Sequence, residues 1–142
     1  MIILDTSLLV YAHRSSFHEH ESAKSVIEAA CNDPRGAGVA IPSVLEFYGL
    51  VTNHKVFARP STMDEAAEFI AQLELTGGVT LCHPHTGFYR RLAQLARDMH
   101  VSGARLFDLQ IALIGLDNGA TQVWTRDAGF IKVPGLDIVR PF

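Results

Sequence analysis

Short apolar runs separated by helix-length segments constrain the fold of this chain more tightly than any other feature. Ile2-Ile3-Leu4, Gly38-Val39-Ala40-Ile41, Val79-Thr80-Leu81-Cys82 and Gln122-Val123-Trp124-Thr125 have the length and apolar character of buried strands, and Asp137-Ile138-Val139 offers a short fifth. Between them lie segments with three-four apolar spacing, such as Ala23, Val26, Ile27 and Ala30 within a helix over about 18–30. Thr6 or Ser7 is placed to cap a helix through Leu8-Leu9-Val10-Tyr11. Pro42 sits just inside a helix reaching about Asn53, and Ser61 or Thr62 starts another that runs to Leu75, with Asp64 and Glu65 in its first turn. Gly77-Gly78 breaks that helix, and two more cover 86–99 and about 106–117. Strands that alternate with helices predict an α/β fold with a mainly parallel central sheet of four or five strands flanked by helices.

At 142 residues the chain has the size of one domain with one core, so residues 1–142 are read as a single domain. Apolar residues make up 48% and charged residues 19%, which argues against disorder. No apolar run is long enough to span a membrane, and the N-terminus lacks the pattern of a secretory signal, so the expected compartment is cytoplasmic. Cys31 and Cys82 belong to no ligand cluster and read as free thiols. The pairs His18/His20 and His83/His85 are two apart, a spacing that does not put two imidazoles on one helix face.

Four carboxylates stand where apolar surroundings predict burial. Asp5 ends the first strand, Glu46 interrupts Val44-Leu45-Glu46-Phe47-Tyr48, Asp108 opens an apolar helix, and Asp127 follows the fourth strand. Burying an unpaired charge costs several kcal/mol, so four such placements ask for one shared cation. A hard divalent ion with oxygen ligands answers that need. Asp5 and Asp127 would lie at the carboxyl ends of strands, where open α/β sheets form ligand crevices, and Glu46 and Asp108 on helices beside them. Thr6, Ser7 and Thr125 are short hydroxyls next to these acids, able to cap a helix or to orient a ligand carboxylate. Asp117 reads instead as a helix-end turn residue. The net charge of −3 becomes +1 without the four acids (−3 + 4), so the acidity is compatible with an anionic substrate that docks through metal.

Taken in order, Leu4-Asp5-Thr6-Ser7-Leu8-Leu9-Val10-Tyr11, Pro42-Ser43-Val44-Leu45-Glu46, Asp108-Leu109-Gln110-Ile111-Ala112 and Trp124-Thr125-Arg126-Asp127-Ala128-Gly129-Phe130 resemble the PIN-domain family, and within it the VapC toxins of type II toxin–antitoxin (VapBC) pairs. The resemblance spans nearly the whole chain and departs from the commonest pattern at Ser7, where asparagine is frequent. It implies a three-layer fold and an Mg²⁺- or Mn²⁺-dependent endoribonuclease, a hydrolase acting on ester bonds. It implies that Asp5, Glu46, Asp108 and Asp127 are the catalytic and metal-binding acids, with Asp127 able to act through water and Thr125 as the hydroxyl beside it. It further implies an RNA substrate such as a tRNA or rRNA loop, a cognate VapB-like antitoxin and a homodimer. RNA contacts are expected from Arg14, Lys55, Arg59, Arg105 and Arg126.

Other phosphate chemistries fit less well. A phosphoaspartyl transferase resembling the haloacid dehalogenase family wants a second aspartate two residues after the first, where this chain has Ser7. A receiver-like module wants a phospho-acceptor at the third strand, which here ends in Leu81-Cys82. A PIN fold with an RNA-processing or protein-binding role, rather than a toxin role, is the remaining alternative.

Overall fold

A computed structural model describing residues 1–142 contains one five-stranded sheet. Its strands are β1 (Ile2–Leu4), β2 (Ala37–Ala40), β3 (Thr80–Cys82), β4 (Gln122–Trp124) and β5 (Asp137–Val139), in the order β3-β2-β1-β4-β5. Every strand pair is parallel. The helices are α1 (Thr6–His13), α2 (His20–Cys31), α3 (Ile41–Val51), α4 (Met63–Leu75), α5 (Phe88–Met99) and α6 (Arg105–Asp117). The predicted α/β class therefore holds, and all five predicted strands form.

Alternation along the strands sorts the core into two layers, because successive side chains leave a strand on opposite faces. Ile2, Leu4, Ala37 and Val39 face the α1–α4 side, where they pack with Leu8, Leu9, Ile27, Val44, Phe47 and Ile70. Ile3, Ala40, Cys82 and Val123 face the other side and pack against α5 and α6 through Ala96, Leu109, Ala112 and Ile114. Helix α6 lies so close to β1 that a Cβ at Gly115 would come within 2.9 Å of Ile3 Cγ1, which explains a glycine inside an otherwise apolar helix.

The chain winds outward from β1 to β2 and β3, then returns to place β4 on the other side of β1. The order reverses between β1 and β4. At such a switch point the connections leave in opposite directions and open a crevice beyond the strand ends.

Two local expectations change. The residue preceding α1 is Asp5, in extended backbone, and no side chain caps that helix. Thr6 and Ser7 lie inside α1, and their hydroxyls serve carboxylates instead. Asp117 is more than a turn residue: it receives both Arg91 guanidinium nitrogens at 2.7 Å, joining α5 to the end of α6. By contrast, Thr62 caps α4 as expected, in a reciprocal pair with Glu65.

Candidate active site

Asp5 is the first residue past β1, and the Leu4–Trp124 register sets it beside Thr125. Its backbone amide donates to the Trp124 carbonyl at 3.0 Å, so the two strand ends are tied where the side chains diverge. Thr125 is fully buried and donates its hydroxyl to Asp5 Oδ2 at 2.6 Å. Ser7 donates to the same oxygen at 2.9 Å.

Both hydroxyls are themselves fixed by backbone amides. The Asp127 N–H donates to Thr125 Oγ1 at 2.9 Å, and the Arg126 N–H donates to Ser7 Oγ at 3.1 Å. Each hydroxyl has one proton, and because a carboxylate only accepts, that proton goes to Asp5 while the hydroxyl oxygen accepts the amide. Asp5 Oδ2 is thus fully engaged, and the carboxylate is locked in one orientation with Oδ1 left for a ligand. The start of α1 adds unpaired backbone N–H groups and positive helix-end potential next to this acid.

Glu46 reaches the same edge from α3. Its Oε2 accepts the Thr6 hydroxyl at 2.7 Å, which links α3 to the first turn of α1. Asp108 enters from the first turn of α6. Asp127 lies in the loop after β4, where its Oδ1 accepts the Gly129 amide at 2.7 Å and closes a tight turn.

The sequence predicts four buried carboxylates, and here the structure corrects it. Only Asp5 is buried, at 7% exposure. Asp108 is half-buried, while Glu46 and Asp127 are exposed. The apolar neighbours of Glu46 misled because α3 turns Val44 and Phe47 inward while Leu45, 62% exposed, faces solvent beside Glu46.

Electrostatics nevertheless join the four. The Asp108 carboxyl is pushed up to about 6, first by burial and then by the negative charges of Asp127, Asp5 and Glu46, with an Ile131 amide working against the rise. None of the four ion pairs in the molecule, His20–Glu21, Lys24–Glu21, Arg35–Asp33 and Arg91–Asp117, reaches any of these acids. Three further carboxylates close enough to act on Asp108, none of the four held in an ion pair, make this edge of the sheet acidic.

The donor set fits a hard divalent ion in kind, being carboxylate oxygen throughout. As placed, no three of these side chains close tightly enough to enclose one ion. Mg²⁺ asks for less than that, since it commonly keeps several waters and takes one or two carboxylates.

The basic candidates divide. Lys55, Arg59 and Arg105 are exposed, and Arg105 stands one helical turn before Asp108, on the same side of α6. Arg14 is engaged internally: it donates to Ser61 Oγ and the Arg59 carbonyl and lies 4.3 Å over the Phe57 ring. Arg126 donates to the Phe142 carbonyl and stacks 4.6 Å from that ring. No sequence pattern marks either partner.

Comparison with known proteins agrees with the fold. A family model described as PIN domain matches residues 2–136. The VapC ribonuclease Mb2897 of Mycobacterium bovis is 29% identical over 132 residues, covering 93% of this chain and 89% of that protein. Ribonuclease VapC48 of Mycobacterium tuberculosis is 24% identical over 97% of this chain and 95% of its own length. Among solved structures, Mycobacterium tuberculosis VapC20, a sarcin–ricin-loop-cleaving toxin, superposes with a TM-score of 0.65 at 16% identity, covering 94% of this chain and 98% of that one. VapBC2 from Rickettsia felis, bound to a DNA fragment from its promoter, gives 0.60 at 16% identity, with 98% of each chain covered. No helix is long and apolar enough to cross a membrane.

Proposed function

The chain belongs to the PIN-domain family, and from that premise we propose that it is a divalent-metal-dependent endoribonuclease, the toxin of a VapBC-type pair. The observation that carries the reading is the gathering of Asp5, Glu46, Asp108 and Asp127 at one sheet edge with no ion pair to any of them, where burial first and the three neighbouring acids second raise the Asp108 carboxyl. Such a constellation is costly to the fold and useful to a metal site. The relatives named VapC ribonuclease support the substrate class, and the likeness to VapBC2, a toxin–antitoxin complex, supports a VapB-like antitoxin partner. A homodimer and a tRNA or rRNA loop as target complete the proposal, with residues 1–142 acting as one domain in the cytoplasm.

Asp5, Glu46 and Asp108 would hold Mg²⁺ or Mn²⁺, with Asp127 contributing through water because one of its oxygens is used in its own turn. When bound, such an ion activates water as a nucleophile and neutralises charge on the scissile phosphate. The residues supply order. Ser7 and Thr125 fix the face that Asp5 presents, Thr6 holds Glu46 at the groove, and Arg105 offers a free cation to the incoming backbone. Attack by water leaves the ribose 2′-hydroxyl unused, so the products carry 5′-phosphate and 3′-hydroxyl ends. Cleavage of RNA by the purified protein with Mn²⁺, and its loss in EDTA, tests the reading. Cleavage that survives chelation would sink it.

The site's acidity has a measurable cost. Asp108 has a higher pKa in the folded chain than the ordinary carboxyl value of 3.8, so folding takes up protons between pH 3.8 and about 6. The stability it contributes is present below that window and lost as pH rises through it. Asp108→Asn is expected to raise the Tm of metal-free protein at pH 7.5 by roughly 2–4 °C, the shift that ~1 kcal/mol gives a domain of this size, and to bring little gain at pH 4. The figure is small because water on the exposed side screens the group. Mn²⁺ affinity of the native protein should fall as pH drops below 6, read by calorimetry.

Two other acids offer a contrast. Glu46→Gln is expected to weaken Mn²⁺ binding by at least ~10-fold. Asp117→Asn, which loosens the Arg91 fork, should lower Tm and leave Mn²⁺ binding as it was. Equal effects on metal binding would show that the wrong acids have been assigned.

A further inference from the structure

Two large apolar side chains stand in solvent immediately beside two of the site acids: Leu45, 62% exposed, next to Glu46, and Phe107, 67% exposed, next to Asp108. All four line one groove of about 710 Å³ between the first turns of α3 and α6, and Gln110 lines it too. The helical period explains the pattern. Leu45 and Glu46 are successive residues on the solvent side of α3, while Phe107 and Gln110, three apart, share a face of α6 with Asp108 beside them, and all five line the groove. One wall-to-wall channel therefore offers carboxylates, an aromatic face and an amide together.

Exposed aromatic surface costs free energy unless something covers it. The occupant must suit the carboxylates as well as the ring. A phosphodiester brought to Glu46 and Asp108 by a divalent ion carries a base on the adjoining nucleotide, and the same groove holds the uncovered aromatic face of Phe107. Stacking of an unpaired base on an aromatic ring is tolerant of sequence, whereas an amide can read a base edge by hydrogen bonds. We propose that Phe107 stacks an unpaired base flanking the scissile phosphate, with Leu45 as the opposite wall and Gln110 reading the edge of that base. Phe107 is then a substrate-positioning residue that requires an unpaired base, and Gln110 the residue that sets the base preference. This inference rests on the ribonuclease reading.

The test uses the full chain with Mn²⁺ and a single-stranded RNA, alongside the same RNA carrying an abasic nucleotide at each position around the cleaved bond. Phe107→Ala is expected to raise KM by roughly 10- to 100-fold, the loss falling on KM rather than kcat, and Phe107→Tyr to restore most of it. One abasic position should reproduce the loss in the native protein, and the Phe107→Ala variant should be indifferent to it. Gln110→Ala should broaden the base preference at that same position. Tyr89→Ala, an exposed aromatic outside the groove, should change nothing. Unaltered KM and cleavage pattern in Phe107→Ala, while the native protein cuts RNA, would overturn the stacking role alone. Sedimentation of both proteins separates a third result: if Phe107→Ala converts a dimer to a monomer and its KM defect vanishes at high protein concentration, the face covers a second copy and the stacking role is overturned. A native protein that does not cut RNA overturns the ribonuclease reading together with it.

Discussion

Asp5→Asn is expected to lower Mn²⁺-dependent RNA cleavage by about 10²–10⁴-fold with the fold intact. The substitution removes one charge from a site that depends on charge, and the loss of several kcal/mol of metal-assisted stabilisation converts at a decade for every 1.36 kcal/mol. Isostery does not rescue it. Asp5 Oδ2 accepts two hydroxyls, from Thr125 at 2.6 Å and Ser7 at 2.9 Å. An asparagine that keeps an oxygen there must present its NH₂ group to the metal. Turned the other way, it sets an NH₂ group against two hydroxyls that already accept the Arg126 and Asp127 amides, and both O–H groups lose their acceptor. Either arrangement spoils the site. Cleavage assays paired with circular dichroism check this, and cleavage within a few fold of native would remove Asp5 from the chemistry.

Phe47→Ala carries the largest expected effect on stability. The ring is fully buried in the α1–α4 core, with centroids 5.3 Å from both His13 and Phe69. Deleting a buried phenyl costs about 3–5 kcal/mol from lost transfer energy and an unfilled cavity. Domains of this size hold only about 5–15 kcal/mol in total, so the variant should unfold at a much lower urea concentration. Phe47→Leu should lose less, since it keeps much of the volume. The consequence reaches the site through the backbone, because Glu46 precedes Phe47 on α3. A loss below about 1 kcal/mol would mean the three rings are not a packed unit.

Much of the fold was legible because strand and helix periods differ. Ile2-Ile3-Leu4 is too short and too apolar for anything but a buried strand, and its two faces later proved to feed two separate cores. The Asp5, Thr125 and Asp127 neighbourhood followed from strand ends alone. What sequence could not give was the facing of single residues. Glu46 looked buried because its neighbours are apolar, yet a helix rotates each successive residue by about a quarter turn, so Leu45 and Glu46 face out while Val44 and Phe47 face in. Arg14 and Arg126 read as RNA contacts and Asp117 as a helix-end turn residue because their partners, Ser61, Phe142 and Arg91, are distant in sequence. Such pairings depend on how helices and loops dock.

Thr125 and Asp5 bond across 120 positions of the chain. The segment that orients the first acid is therefore among the last to be made, and until β4 docks, one edge of β1 has no neighbour and the Asp5 carboxylate lacks its buried donor. Long-range closure of this kind is slow, because chain entropy is lost before the contact repays it. Ribosomes lay down the amino-terminal segments first, at roughly 5–20 residues per second, so a growing chain carries Asp5 and Glu46 for several seconds without an ordered centre. On the proposed ribonuclease reading, this topology keeps the acidic centre unassembled until synthesis is nearly complete.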